Sequence, residues 1–168
     1  HLISVLIVME GVAIASCAGV SLMMGDELHE ILLMLLCAGI TSFCGALGAF
    51  FLRPRSGNIQ MGIREGFATV AGGWLVASIF GALPFIMITG LQVHDAFFET
   101  VSGFTTTGSS ILRDVEAMSY SMLFWRSFTH WVGGMGVLVF TMAVLPVSDG
   151  RAMHLMRAES PGPSVGKI

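Results

Sequence analysis

The fold class predicted by this sequence is an all-α membrane protein: two leading transmembrane helices, then one repeat of helix, re-entrant half-helix and loop, and helix. Three observations predict it. The 168-residue chain has a mean hydropathy of +0.82, with 54% hydrophobic and only 11% charged residues, against roughly 25% charged in soluble domains. Four apolar segments, 2–24, 31–52, 66–88 and 122–145, reach the ~20 residues that cross a hydrocarbon core. Between the third and fourth lies Asp95-Ala96-Phe97-Phe98-Glu99-Thr100-Val101-Ser102-Gly103-Phe104-Thr105-Thr106-Thr107-Gly108-Ser109-Ser110, too short and too polar to cross.

So apolar a chain cannot cover its surface with polar groups, so the lipid bilayer is its expected solvent. The net charge of −3 gives no case for nucleic acid. Cys17, Cys37 and Cys44 are odd in number and sit in apolar runs, where they read as small packing residues rather than a disulfide framework or metal knuckle. The first apolar run is too long for the h-region of a signal peptide. A start at His1 and an end at Ile168 without a terminating pattern suggest a piece of something longer.

The second and third segments carry no formal charge, and each has small residues at four-residue spacing: Thr41, Gly45 and Ala49, then Gly73, Ala77 and Gly81. That spacing gives a smooth helix face on which another backbone can pack closely. Pro84 is expected to kink the third segment near its end. Arg53, Arg55, Arg64, Arg151, Arg157 and Lys167, six of the eight basic residues, fall on one face if the segments alternate, which makes that face, and the N-terminus, cytoplasmic. The other face carries Asp26, Glu27, Glu30, Asp95, Asp114 and Glu116. These could concentrate cations, although Asp26 to Glu30 read as an ordinary solvated turn.

Within the polar run, Phe97, Phe98, Val101 and Phe104 recur at helical spacing, with Asp95 as the expected N-cap. Eleven helical residues reach only about 16 Å, half the hydrocarbon depth. The helix is expected to dip to mid-membrane and aim the negative end of its dipole there, favouring a cation. Thr105-Thr106-Thr107-Gly108, supported by Ser109, then offers backbone carbonyls and hydroxyls without fixed charge. Such oxygens can replace a monovalent ion's hydration shell and still release it, as the Thr-Val-Gly core of potassium filters does, whereas a carboxylate ring favours divalent ions. Gly108 allows the backbone angles that aim neighbouring carbonyls along one axis. Read in isolation, a Thr/Ser/Gly run is a polar turn; its place after a half-length helix and between two spans favours a filter.

Other polar residues at membrane depth carry weaker signals. Arg126 needs an interior partner or a path to the interface. Glu99 is the candidate by depth, and exchanging the two residues is expected to rescue what either single reversal disrupts. Glu10 could be a coupling-ion site, but a hydrogen-bonded buried carboxyl is the plainer reading, and His130 reads as a satisfied interior histidine. His1, His29, His94 and His154 lack metal-ligand spacing. The glycines of Gly133-Gly134-Met135-Gly136 thin the last span so that another element can approach. Two other readings are weighed: a non-conducting assembly subunit built on the small-residue faces, and a serine hydrolase using Ser102 and His130. The hydrolase lacks any Gly-x-Ser-x-Gly turn.

Asp95-Ala96-Phe97-Phe98-Glu99 leading into Ser102-Gly103-Phe104-Thr105-Thr106-Thr107-Gly108 resembles the first pore loop of the TrkH/TrkG potassium-uptake family. Trp131-Val132-Gly133-Gly134-Met135-Gly136, Arg157-Ala158-Glu159-Ser160-Pro161-Gly162-Pro163 and Gly81-Ala82-Leu83-Pro84-Phe85 also resemble it, from about Arg64 onward. The two leading helices fit the Trk branch better than the shorter KtrB branch. The resemblance implies a K⁺-translocating subunit of the bacterial plasma (inner) membrane, built from four linked helix–pore-loop–helix repeats. In it, Thr105, Thr106, Thr107 and Gly108 form a quarter of the selectivity filter, with K⁺ held at Thr106 and Thr107. It further implies a homodimer and a cytosolic nucleotide-binding regulatory partner of the TrkA type. K⁺ is the transported ion, and no cofactor is expected in this chain. The expected organisation is a two-helix segment over 1–58, the first repeat over 59–147 and a cytoplasmic linker toward a second repeat over 148–168. One loop presents oxygens from one side only, so one repeat is not expected to conduct.

Overall fold

The computed structural model describes residues 1–52 and 63–144, with the backbone alone at 63 and 137–144. Arg53, Arg55, Arg151, Arg157, Lys167, His154, the Arg157-to-Pro163 motif and the linker 148–168 lie outside the described residues. Among the described residues six helices follow one another: α1 (Leu2–Met24), α2 (Leu28–Phe51), α3 (Ile63–Gly81), α4 (Leu83–Met87), α5 (Val93–Phe104) and α6 (Tyr120–Val144). Among the described residues there is no strand. Three stretches of the described residues are long and apolar enough to span a bilayer, Leu2–Met24, Leu28–Phe51 and Arg64–Met87, with mean hydropathies of 2.1, 2.1 and 1.9. This is an all-α membrane fold, as the composition predicts. The fourth expected span corresponds to α6, whose 25 residues extend roughly 37 Å at 1.5 Å per residue. The chain divides into two compact units, His1–Gly133 and Gly134–Ile168. The second begins within α6, and the packing that positions the loop lies in the first.

α1 and α2 form the most extensive helix pair, and glycines make it close. A methyl group on Gly45 would sit 2.8 Å from the backbone N of Val8 and 3.0 Å from the Ser4 carbonyl. One on Gly11 would meet the backbone of Ser42 and Ala38. Thr41 and Gly45 are buried on this seam, so the small-residue face of the second segment packs where its spacing placed it. The corresponding face of the third segment packs too: Gly73 faces Leu6, and Gly81 faces Thr100 and Phe104. In lipid, where burying apolar surface yields little, such close van der Waals contact is what holds helices together. The large apolar side chains turned away from this packing, among them Met9, Val12, Leu35 and Phe43, are those a bilayer would solvate.

The third segment breaks at Ala82. Pro84 falls in the first turn of α4, a position where its missing N–H and fixed φ do no harm, although it cannot continue the helix behind it. The Gly81 carbonyl at the break accepts a hydrogen bond from Trp125 Nε1 at 3.0 Å. The kink expected from Pro84 is therefore present, and a neighbouring helix satisfies an acceptor at it. Around the break, Phe85, Ala96, Met122 and Trp125 join Ile14, Cys17, Met34 and Cys37 in a single buried core. Cys17 and Cys37 are buried free thiols and Cys44 is an exposed one.

The α1–α2 turn corrects the sequence reading. α1 ends on Gly25 at φ +83°, with the amides of Gly25 and Asp26 both bonded to the Ser21 carbonyl, a left-handed cap that glycine adopts without strain. This brings Asp26 onto the start of α6. Its carboxylate accepts from the backbone N–H groups of Tyr120 (3.2 Å) and Ser121 (3.0 Å), and from Ser21 Oγ (2.7 Å). Asp26 thus caps a helix 94 residues away in sequence instead of facing water as part of a solvated turn. A negative group there also suits the helix dipole. Partial burial works against the charge, but the donors of Ser21, Ser121 and Tyr120 outweigh it and hold the carboxyl below the usual aspartate range. The clasp is therefore complete above the ordinary value of about 3.9 and is lost as pH falls below it through the lowered folded-state value. Replacing Asp26 with alanine is expected to destabilise the fold by about 1 kcal/mol and to remove this acid-sensitive component from thermal unfolding in detergent. An unchanged melting profile would overturn the clasp.

Candidate functional site

α5 begins at Val93, three residues earlier than an N-cap at Asp95 implies, with Gln92 at its N-cap and no side-chain cap. Asp95 therefore lies inside the first turn, where a carboxylate still complements the helix dipole, and it pairs with His94 at 3.2 Å. The left-handed Gly90, at φ +69°, turns the chain early enough for Val93 and His94 to join the helix. The helix has 12 residues and so is about 18 Å long.

Its far end is fastened on two sides by close approach. A methyl group on Gly133 of α6 would meet the Phe104 carbonyl carbon at 2.7 Å and its Cα at 3.0 Å. One on Gly103 would run into Thr129. The expected thinning of the last span is thus realised at Gly133, which seats the final residue of α5. On the other side the Phe104 ring packs against Trp74 of α3, centroids 5.6 Å apart.

Beyond Phe104 the chain reverses in a double-bonded helix cap. The Thr106 amide bonds to the Gly103 carbonyl (2.9 Å) and the Thr107 amide to the Ser102 carbonyl (3.0 Å), the pattern that usually places glycine at the left-handed position. Here that position is Thr106, at φ +55°, the only non-glycine residue with positive φ among those described. A β-branched residue in this region is strained. The Thr105 amide bonds to Val101 (2.8 Å) and the Gly108 amide points to Ser102 (3.5 Å). Four successive N–H groups thus face back into the helix end. Among the described residues, no hydrogen bond reaches the carbonyls of Thr106, Thr107 or Gly108, while Thr105 O accepts from Thr106 Oγ1 at 2.7 Å. φ is −84° at Thr105, +55° at Thr106 and +75° at Gly108, with Thr107 not positive. Alternating handedness of this kind turns successive carbonyls toward one side, whereas uniform extension would send them to alternate sides. The hydroxyls of Thr105 and Thr107 lie 2.8 Å apart, and residues 105–110 are exposed.

The loop is held from behind. Ser102 Oγ donates to the Ser109 carbonyl at 2.6 Å. Glu99, only 1% exposed, accepts at Oε1 from Ser110 Oγ (2.6 Å) and from the Ile111 amide (2.5 Å). Its Oε2 lies 3.5 Å from Arg126 Nε of α6, and the Arg126 side chain is 19% exposed. The pairing expected from depth alone is present, and it has a second half that sequence reasoning missed: the same carboxylate ties the returning limb of the loop to α5. Exchanging Glu99 and Arg126 would therefore restore the ion pair but leave the Ser110 and Ile111 donors without an acceptor. Ser102 and His130 are both committed elsewhere, His130 Nδ1 to the Arg126 carbonyl at 2.8 Å, so no nucleophile–base pair forms. Glu10, expected to be hydrogen-bonded, is buried with no partner for either carboxyl oxygen among the described residues. No group of three or more His, Cys, Asp or Glu among them could hold a metal ion.

The fold and this loop define a helical membrane protein that presents uncharged peptide oxygens from the end of a half-length helix. A profile of the TrkH family, described as cation transport proteins, matches residues 36–168, and the chain belongs to that family. It is similar to the Trk system potassium uptake protein TrkH of Escherichia coli strain K12, 41% identical over 121 residues that cover 70% of this chain and 25% of that protein. Against TrkH of Halomonas elongata the figures are 37% over 147 residues, 86% and 30%. Against the potassium uptake protein TrkG of E. coli K12 they are 37% over 123 residues, 72% and 25%. The chain thus spans between 25% and 30% of the length of these relatives.

The two roles of Glu99 can be separated. Glu99→Gln keeps an acceptor for Ser110 and Ile111 but loses the charge facing Arg126, while Glu99→Ala loses both. Alanine is expected to cost about 1–3 kcal/mol more than glutamine, the penalty for stranding buried donors, as read from thermal unfolding in detergent. Equal losses would leave the loop tether without energetic weight.

Proposed function

We propose that this chain is the first quarter of a four-repeat K⁺-translocating subunit, with residues 105–108 as one strand of its selectivity filter. The carrying observation is that the amides of 105–108 face into the end of α5, which turns the carbonyls of Thr106 and Thr107 away on an exposed loop, where those two and the Gly108 carbonyl accept no hydrogen bond among the described residues. Oxygens of this kind, without fixed charge, suit a monovalent cation that must bind and leave. The names of the E. coli and Halomonas relatives as potassium uptake proteins support K⁺ as that cation. In this reading K⁺ sits at Thr106 and Thr107, α5 is the re-entrant pore helix, and Ser109, Glu99 and Arg126 brace the loop.

The organisation is then a two-helix membrane segment over 1–58, the first repeat over 59–147, and 148–168 leading to a second repeat. The protein resides in the bacterial inner membrane with its N-terminus cytoplasmic, by the distribution of Lys and Arg along the chain. The remaining repeats supply the other filter strands, and a second copy together with a TrkA-type nucleotide-binding regulator completes the system. The protein moves an ion and catalyses no bond chemistry.

The test is rubidium and potassium uptake in transport-deficient cells expressing the complete gene. Gly108→Ser is expected to erode the preference for K⁺ over Na⁺. A side chain at 108 has open space around it, so the effect comes through the backbone at φ +75° and not through a clash. Unchanged selectivity would count against the filter. Thr106→Gly carries the opposite stability signature. It relieves a left-handed threonine and is expected to stabilise the fold by about 1 kcal/mol while lowering uptake, because the hydroxyl and the fixed backbone angle are lost. A variant both more stable and fully active would show that the strained threonine has no role in transport.

A further inference from the structure

We propose that Glu10 is a proton-binding site, a neutral carboxylic acid lodged where α1 meets α3 and α5, behind the half-helix that ends at residue 104. Glu10 is 9% exposed, and neither of its carboxyl oxygens has a hydrogen-bond partner among the described residues. Its carboxyl lies beside Gly81: a methyl group there would lie 2.9 Å from Glu10 Oε1, 2.8 Å from Thr100 Cγ2 and 3.3 Å from Phe104 Cε2. The carboxyl therefore converges with a methyl and an aromatic ring of α5 on the bare backbone at the α3–α4 break. A carboxylate with neither donor nor counter-ion in such a place is far costlier than the neutral acid.

The charged and titratable groups on the surrounding elements are occupied or remote. On α5, Glu99 is held by Ser110, Ile111 and Arg126, and Asp95 pairs with His94. On α3, Arg64 and Glu65 lie at the opposite end from Gly81, roughly 25 Å along the helix. On α2, His29 and Glu30 lie in the first turn, Cys44 is exposed, and Cys37 Sγ lies 3.4 Å from Met87 Sδ. On α6, Arg126 faces Glu99 and His130 bonds to the Arg126 carbonyl. On α1 itself, Cys17 bonds to the Ala13 carbonyl.

The ligand is a proton and not a metal ion, because the facing groups supply no ring of oxygens. The Thr100 hydroxyl donates to the Ala96 carbonyl at 2.8 Å, and the Gly81 carbonyl accepts from Trp125. Release of the proton would place a bare charge beside the Gly81 backbone, which the ring of Phe104, the residue that leads into Thr105, also approaches. A link from proton binding to ion passage rests on the proposed filter, whereas the site itself does not.

The test is infrared difference spectroscopy of the full-length protein in lipid nanodiscs at neutral pH, with no ion gradient, native against Glu10→Gln. The expected result is loss of one C=O stretch of a protonated carboxylic acid, with native folded yield. Loss of a carboxylate stretch instead would overturn the proposal. Glu10→Met serves as a second variant of similar length, and it too is expected to fold with native yield. If neither neutral replacement folds, the site requires a charge and the proposal is wrong. Because the spectrum is read without transport, its failure is distinguishable from failure of the filter assignment.

Discussion

Four amide hydrogens decide what the loop can do. An α-helix ends with carbonyls that have no donor above them, and α5 meets that need with the N–H groups of residues 105–108. Each peptide plane that turns its N–H inward turns the carbonyl of the preceding residue away, so satisfying the helix end and freeing the oxygens of Thr106 and Thr107 are one event. The cap that achieves this requires a left-handed residue two places beyond the helix. α1 uses Gly25 in its own left-handed cap, at no conformational cost, whereas α5 uses Thr106. The strain of a left-handed threonine is of order 1–3 kcal/mol and persists only where the surroundings over-determine it.

Those surroundings are all on one side. Ser102 fixes Ser109, Glu99 fixes Ser110 and Ile111, and Gly133 and Trp74 seat Phe104. None of these contacts touches the outward face of 105–108. A loop gripped from behind and bare in front can hold strained angles while its oxygens remain available. Arg126 extends the grip to α6, and Asp26 fixes the start of α6 to the turn between the two leading helices. The α1–α2 hairpin is therefore mechanically joined to the loop through α6, as well as through Gly81 and Glu10.

What could be read from the sequence was what is periodic or local. Hydropathy gave the helices, and the four-residue spacing of Gly45 and Gly81 gave the faces on which others pack. Pro84 gave the break, and Gly108 gave a left-handed position because few other residues adopt one readily. What escaped was set by contacts distant in sequence or by the way a loop reverses. Asp26 looks like any turn aspartate until the start of α6 is laid against it. Thr106 gives no sign in sequence of a left-handed backbone, since its type argues against one. Glu99 suggested Arg126 by depth, but its hold on Ser110 and Ile111 exists only once the chain has doubled back. Asp95 has the chemistry of an N-cap and was displaced because Gly90 turned the chain sooner. For Glu10 the usual expectation for a buried carboxyl failed, since the facing side of α3 is a glycine and that of α5 is a methyl and a ring.

The bare carbonyls also constrain what can lie in front of them. A peptide carbonyl exposed to hydrocarbon without a donor costs several kcal/mol, and here three without a donor among the described residues stand in sequence on an exposed face. Lipid cannot be their neighbour in the membrane. Water, a desolvated cation, or equivalent loops surrounding a shared axis can be. Water alone would give no reason to retain a left-handed threonine where glycine would serve. A cation at the proposed filter would, since its ligands must be fixed before it arrives if selectivity is to depend on geometry. A cation needs oxygens on every side and this loop provides them on one, so the proposed filter reading also calls for further strands like it.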